Sequence, residues 1–232
     1  MSSASTSTHP DAPEVSAPAA ARTAIVAGGT GLVGTALLQL LGGDVRYSRV
    51  ISLVRREVAA PPGITLRTVD FDRLDSVELP NVDDAFCCLG TTRRAAGSDA
   101  AFKRVDLDYV VAFARLAKRS GARRFMLVSS IGASAASRVL YTRTKGECEE
   151  AIRAIGFATV VILRPSFLVG ERVEHRAMEA VALRVGALIA PLLVGPLRRY
   201  APVHATAVAR TLVEAAATAG AGVTVIESDG IR

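Results

Sequence analysis

Three side chains near the middle of the chain carry the plainest chemistry. Ser130 closes an apolar run, Tyr141 follows eleven residues later, and Lys145 lies four residues beyond that. On a helix, Tyr141 and Lys145 share one face. A phenol with an ordinary pKa of about 10 is a weak acid–base group at neutral pH. A nearby ammonium favours its phenolate form. A serine hydroxyl at an adjacent strand end can hold a substrate oxygen, so the trio reads as a proton-transfer unit. Ser129 takes the serine's place if the register is off by one. A tyrosine and a lysine at this spacing also occur, idle, on ordinary amphipathic helices, so the unit needs a reagent beside it.

The reagent site is read near the start of the folded chain. The apolar run Ala24-Ile25-Val26-Ala27 enters Gly28-Gly29-Thr30-Gly31-Leu32-Val33-Gly34, and a helix-like run leaves from Thr35. Gly28, Gly31 and Gly34 have separate tasks in a dinucleotide site: the sharp turn off the strand, room for a pyrophosphate, and close helix–strand packing. Thr30, Leu32 and Val33 share that turn, where free N–H groups and the positive end of the helix face phosphates. The bland alternative is a tight turn with spare glycines.

These residues need a frame. From Arg22 onward, strand and helix patterns alternate. Strands are expected at 23–27, 50–54, 65–69, 84–88, 125–129, 160–163 and 223–226. Several are continuous apolar runs, as strands buried on both faces should be. Helices are expected at 32–41, 99–119, 140–154, 176–189 and 205–219, with Ser98 or Asp99 capping the second and Gly121 following its end. The alternation predicts an α/β protein, a Rossmann-type doubly wound parallel sheet with a small C-terminal substrate cap.

Ligands bind beyond the carboxyl ends of such strands. Arg55-Arg56 follows the second strand, where an NAD site usually has an acid for the ribose hydroxyl; an arginine suits a 2′-phosphate, so NADP is favoured with NAD still open. Solvated loop arginines are the alternative. After the third strand, Asp70 either accepts from the adenine amino group or merely caps a helix. After the fourth, Leu89-Gly90 lets backbone approach the cofactor or is an ordinary loop.

Composition sets the outer bounds. The chain has 232 residues, half of them hydrophobic, enough for one core-bearing domain. Its three cysteines give no disulfide framework and no metal spacing, which suits a reducing cytoplasm. Cys87-Cys88 reads as packed strand. The net charge of +6 is spread over scattered basic pairs, Lys118-Arg119 and Arg123-Arg124 among them, without tryptophan or interleaved aromatics. That excludes a nucleic-acid platform and makes solvated surface the default for those pairs. Residues 1–21 lack core-forming side chains and read as a disordered tail, leaving 22–232 as the domain. The apolar stretch 178–197 is interrupted by Arg184, Gly186, Pro191 and Gly195. It is too broken for a membrane span, and reads as a lid or packed helix, with peripheral membrane contact a minority alternative. His204 reads as structural or capping.

In order and in wording, these motifs resemble the short-chain dehydrogenase/reductase superfamily. Gly28-x-x-Gly31-x-x-Gly34 is similar to its cofactor turn, Ser130 to its catalytic serine, and Tyr141-x-x-x-Lys145 to its catalytic pair. More narrowly, Cys88-Leu89-Gly90-Thr91-Thr92-Arg93, Phe102-Lys103-Arg104-Val105-Asp106 and Val128-Ser129-Ser130-Ile131-Gly132-Ala133 resemble the atypical, Tat-interactive-protein-like branch. The resemblance spans about 23–232. It implies that Arg164-Pro165 lies near the nicotinamide and that Lys145 also holds the nicotinamide ribose. Asp106 departs from the wider superfamily, where many members carry a supporting asparagine. The implied function is an NADP-dependent oxidoreductase acting on a small carbonyl or alcohol, working as a monomer or homodimer. A cofactor-binding regulator acting through protein partners and a nucleotide-sugar epimerase are the alternatives. The catalytic pair favours an enzyme over the first, and the short C-terminal part argues against the second.

Overall fold

The computed structural model describes residues 21–170 and 199–232. All but residue 21 of the tail expected over 1–21, the helix expected over 176–189 and the lid expected over 178–197 lie outside the described residues.

Seven strands form one parallel sheet: β1 (Arg22–Ala27), β2 (Tyr47–Val54), β3 (Ile64–Thr68), β4 (Asp84–Cys87), β5 (Arg124–Val128), β6 (Thr159–Arg164) and, last in the chain, β9 (Gly222–Glu227). Their order is β3-β2-β1-β4-β5-β6-β9. The direction of progression reverses between β1 and β4, and the crevice at such a switch point is where this architecture takes a dinucleotide. Two short strands, β7 (Leu168–Val169) and β8 (Val203–His204), pair separately.

The principal helices are α1 (Leu32–Gly42), α2, α3 (Leu140–Ala154) and α4 (Ala205–Thr218). α2 runs through three consecutive segments: Asp99–Lys103, a π-helical turn at Arg104–Asp108, and Tyr109–Arg119. Ser98 caps it by accepting from the Ala101 N–H at 3.1 Å. No described helix is long and apolar enough to cross a membrane.

The apolar run of β1 is explained by burial on both faces. Ala24 and Val26 pack with Leu37 and Leu41 of α1 and Val208 and Leu212 of α4. Ile25 and Ala27 pack on the other side with Phe113 of α2, Phe125 of β5 and Ile152 of α3. All four β1 residues are fully buried. The core is therefore two apolar layers separated by one sheet.

The opposite, amino-terminal edge of the sheet is tied by charge. Asp84, fully buried at the start of β4, accepts from Tyr47 Oη at 2.7 Å and pairs with Arg22 at 3.2 Å and with Arg124. Arg119 donates to the carbonyls of Leu74, Asp75 and Val77. Arg119 and Arg124, expected as solvated members of basic pairs, thus have structural partners. Replacing Asp84 by alanine strands the Tyr47 hydroxyl and two arginines together. Asp84→Ala should cost about 3 kcal/mol, the low end for breaking a buried pair because both arginines retain some water. Urea unfolding measures it, and a loss below about 0.5 kcal/mol, the range of ordinary surface changes, would show that the cluster is not a fastening.

Candidate active site

The glycine turn leaves β1 at the switch point. Gly28 has φ +83°, and a Cβ there would lie 2.4 Å from the Cys88 carbonyl carbon. A Cβ at Gly34 would lie 2.0 Å from the Gly28 carbonyl oxygen, so α1 can start this close to β1 only with glycine. Gly31 is different. It sits in extended backbone at φ −82°, and a Cβ there would meet only the Gly28 carbonyl oxygen, at 3.3 Å. A Cβ at Gly31 needs the Gly28 carbonyl to give by a few tenths of an ångström, and, chain neighbours aside, no other atom of the described residues lies within 4 Å of it.

No side chain caps α1, and its first turn carries no acid. The leading N–H groups lack intrahelical acceptors. That is a cradle for an anion, and it fits a dinucleotide pyrophosphate passing Gly31, with Thr30, Leu32 and Val33 around it.

Beyond the ends of β2 and β3 lies an open cavity of about 420 Å³, lined by Arg55, Thr68, Val69, Asp70, Phe71, Asp72 and Tyr109. Arg55 lines it directly, and Arg56, next in the chain, is exposed and is not part of its lining. Asp70 accepts from the Asp72 N–H at 2.9 Å, capping the short helix that follows. Asp70 is thus a helix cap, and it also borders this cavity. Tyr109 donates to Asp72 at 2.9 Å, closing one wall.

The proton-transfer trio lies past β5. α3 begins at Leu140, so Tyr141 and Lys145 are one turn apart on its first two turns. The half-buried Tyr141 ring stacks on the fully buried Phe102 at 5.6 Å. A Cβ at Gly146 would lie 2.1 Å from the Ala135 N, so this glycine seats α3 directly against the loop that follows Ser130.

The two serines are separated by their partners. Ser129 Oγ donates to Glu149 at 2.6 Å and is committed to that bond. The Ser130 hydroxyl has only a stretched 3.5 Å contact with the Ile131 carbonyl, at the limit of a useful hydrogen bond. Among the described residues, Ser130 is therefore the one of the two hydroxyls with hydrogen-bonding capacity to spare.

Lys145 is 6% exposed and stands 2.8 Å from Oδ1 of Asp106, which is 1% exposed. The other oxygen of Asp106 accepts from the Thr91 N–H at 2.9 Å. Burial opposes the lysine's charge, but the Asp106 carboxylate, with the Tyr141 phenol adding to it, outweighs burial and holds the ammonium above the ordinary lysine range. A Cβ on Gly90 would lie 3.5 Å from Lys145 Nζ, which places the loop with Leu89 and Gly90 against the lysine.

The Arg164 side chain is engaged within the protein. Its guanidinium donates to Glu149 at 2.9 and 2.6 Å and to Glu227 at 2.9 Å. It fastens the end of β6 to α3 and β9, so its side chain is spent inside the protein. Pro165 is buried and its carbonyl accepts from the Ile131 N–H at 2.9 Å, setting it beside the Ser130 loop. His204 is exposed and precedes α4 without a side-chain cap. Cys88 and Cys148 are pushed up to about 12 by burial, so these thiols pack rather than react. No cluster of metal-binding side chains occurs among the described residues.

Sequence reasoning missed Glu149. At four residues past Lys145 it looks like a solvent-facing helix acid, and only the arrival of Arg164 from another strand shows why it is buried.

The comparisons with known proteins agree with this geometry. Residues 28–219 match a family described as NAD(P)H-binding. The chain is 38% identical over 167 residues to Protein HTATIP2 of Rattus norvegicus, covering 69% of each chain. It is 38% identical over 164 residues to Protein FMP52-1, mitochondrial, of Scheffersomyces stipitis, covering 67% of this chain and 71% of that one. The fold is shared with MoeE5 in complex with UDP-glucuronic acid and NAD, at a TM-score of 0.65 and 19% identity over 88% of this chain and 75% of that one.

One expectation is corrected here. Six fungal relatives, that of Scheffersomyces stipitis among them, are named mitochondrial, which overturns the cytoplasmic assignment. Scarce, unpaired cysteines distinguish reducing from oxidising surroundings, and they do not choose among reducing compartments. The glycine turn, the parallel sheet and the extent of these matches agree: the chain belongs to an atypical, short-chain dehydrogenase/reductase-like family of NAD(P)H-binding proteins.

Proposed function

We propose that this protein is an NADP(H)-dependent oxidoreductase interconverting a small carbonyl compound and its alcohol. The observation that carries the proposal is the uncommitted Ser130 hydroxyl at a strand end beside the helix bearing Tyr141 and the charged Lys145. The nicotinamide, when bound, supplies or accepts the hydride. Ser130 holds the substrate oxygen. Tyr141 gives that oxygen a proton in the reductive direction and takes it back in the other. Lys145 presents a positive charge one turn from the phenol, which favours the anionic form Tyr141 must pass through, and it is placed to hold the nicotinamide ribose. The Gly31 turn and the start of α1 receive the pyrophosphate, and Leu89, Gly90 and Pro165 border the nicotinamide half.

The preference for NADP(H) rests on Arg55, which lines the cavity beyond β2 where an acid would serve NAD. Arg56 adds positive charge alongside. Calorimetry with both cofactors tests it: NADPH should bind more tightly than NADH. Arg55→Ala should weaken NADPH about ten- to a hundredfold, the worth of a hydrogen bond to a charged group, and leave NADH nearly unchanged. Equal affinities in the native protein would remove the preference.

A further inference from the structure

Glu149 is a buried acid on the catalytic helix, and no step of the proposed reaction uses it. α3 carries Tyr141, Lys145 and Glu149 at four-residue intervals, so the acid shares the helix face of the catalytic pair. One of its carboxylate oxygens accepts from the Ser129 hydroxyl at 2.6 Å and from Arg164 Nε at 2.9 Å, and the other accepts from Arg164 Nη2 at 2.6 Å. Arg153, one turn further along α3, stands 3.6 Å away. A two-pronged guanidinium–carboxylate contact fixes direction as well as distance. Glu149 is 2% exposed, so little water competes for these bonds.

Arg164 is gripped from its far side too, by Glu227 at the end of β9, which accepts at 2.9 Å. Ser228, buried and next in the chain, accepts from the Ser166 N–H at 3.1 Å. Arg164-Pro165-Ser166 is thereby held at both ends, and the Pro165 carbonyl between them accepts from the Ile131 N–H at 2.9 Å. On the other side of Ser130, the Ser129 N–H donates to the Leu163 carbonyl at 2.7 Å. Ser130 therefore stands between two residues bonded to β6 and its extension, and one of them, Ser129, is also bonded through its side chain to α3. Such a mounting sets where the Ser130 hydroxyl lies relative to Tyr141, and a misplacement of about 1 Å can cost about a hundredfold in rate.

We propose that Ser129 and Glu149 are positioning residues: Glu149, locked by Arg164, holds Ser129, and Ser129 sets the Ser130 hydroxyl against the helix bearing Tyr141. The proposal rests on the oxidoreductase reading for its purpose, and the seating of Ser130 can be measured without substrate or cofactor.

Ser129→Ala removes one hydroxyl and leaves Glu149 both of its Arg164 bonds, so the chain should fold. Residue-resolved amide hydrogen exchange by NMR should show the Ile131 N–H exchanging about tenfold faster or more than in the native protein, with the Met126 and Leu127 amides of β5 within about twofold of theirs. Unchanged exchange at Ile131 overturns the proposal. So does equal acceleration along β5, which would make Ser129 an ordinary strand fastening. Where a carbonyl is reduced, Ser129→Ala should lower kcat about ten- to a hundredfold with the KM for NADPH little changed. Ser129→Thr, which keeps the hydroxyl, should recover most of that loss. In protein that already carries Ser130→Ala, adding Ser129→Ala should change kcat by less than about twofold, because the group it seats is gone. A further loss of about tenfold in that background overturns the proposal, since Ser129 would then act on something other than Ser130. Absence of turnover with every carbonyl tested would sink the oxidoreductase reading, and the exchange measurement alone would then decide whether Ser129 seats Ser130.

Discussion

Tyr141→Phe should reduce turnover of a carbonyl substrate by roughly 10²–10⁴-fold, the usual contribution of a positioned acid or base. Its fold should be unchanged, because the ring that stacks on Phe102 is retained and only the hydroxyl is lost. NADP(H) affinity should also hold, since the phenol acts on substrate rather than on cofactor. The measurement is steady-state kinetics with NADPH against a panel of aldehydes and ketones, alongside calorimetry. Full turnover in this variant would place the proton transfer elsewhere.

The second large effect separates two glycines that look alike in the sequence. Gly31→Val should fold with at most a modest loss of stability, since Gly31 has extended backbone and, among the described residues, its Cβ would press only on the Gly28 carbonyl oxygen, at 3.3 Å. It should bind NADP(H) at least a hundredfold more weakly, about 3 kcal/mol, because the branched side chain projects into the space left for the pyrophosphate. Gly34→Val should instead fail to fold, with its Cβ at 2.0 Å from the Gly28 carbonyl oxygen. Melting curves and calorimetry on the two variants distinguish these outcomes. Undiminished binding in folded Gly31→Val would remove the glycine turn from the cofactor site.

The contrast also shows what a sequence can carry. Local patterns survived well: α3 runs from Leu140 to Ala154 as expected, and Ser98 caps α2. β1 reads as buried because both its faces are covered, which makes its apolar run continuous. Charges were the less legible part. Arg124 reads as solvated and Arg164 shows no partner in the sequence, yet each answers a buried acid distant in sequence, Asp84 and Glu149 respectively. No periodicity encodes such a pairing. The π turn in α2 leaves the helical pattern of 99–119 intact on the page while turning Asp106 toward Lys145. The two-residue strands β7 and β8 are too short to alternate. The turn around Gly28–Gly34 was legible because each position combines a local conformation with a fixed distance along the chain.

Hydride transfer is the most direct test of the account. NADPH deuterated at the nicotinamide C4, in each stereochemical form, is incubated with the protein and the carbonyl panel, and the alcohol products are examined by mass spectrometry. The account predicts deuterium on the carbinol carbon of at least one product, from one face of the nicotinamide only, with the signal lost in Tyr141→Phe. Tight NADPH binding with no deuterium passed to any carbonyl, together with a cofactor-dependent change in affinity for a protein partner, would contradict it and make this protein a sensor of NADP(H) rather than an enzyme.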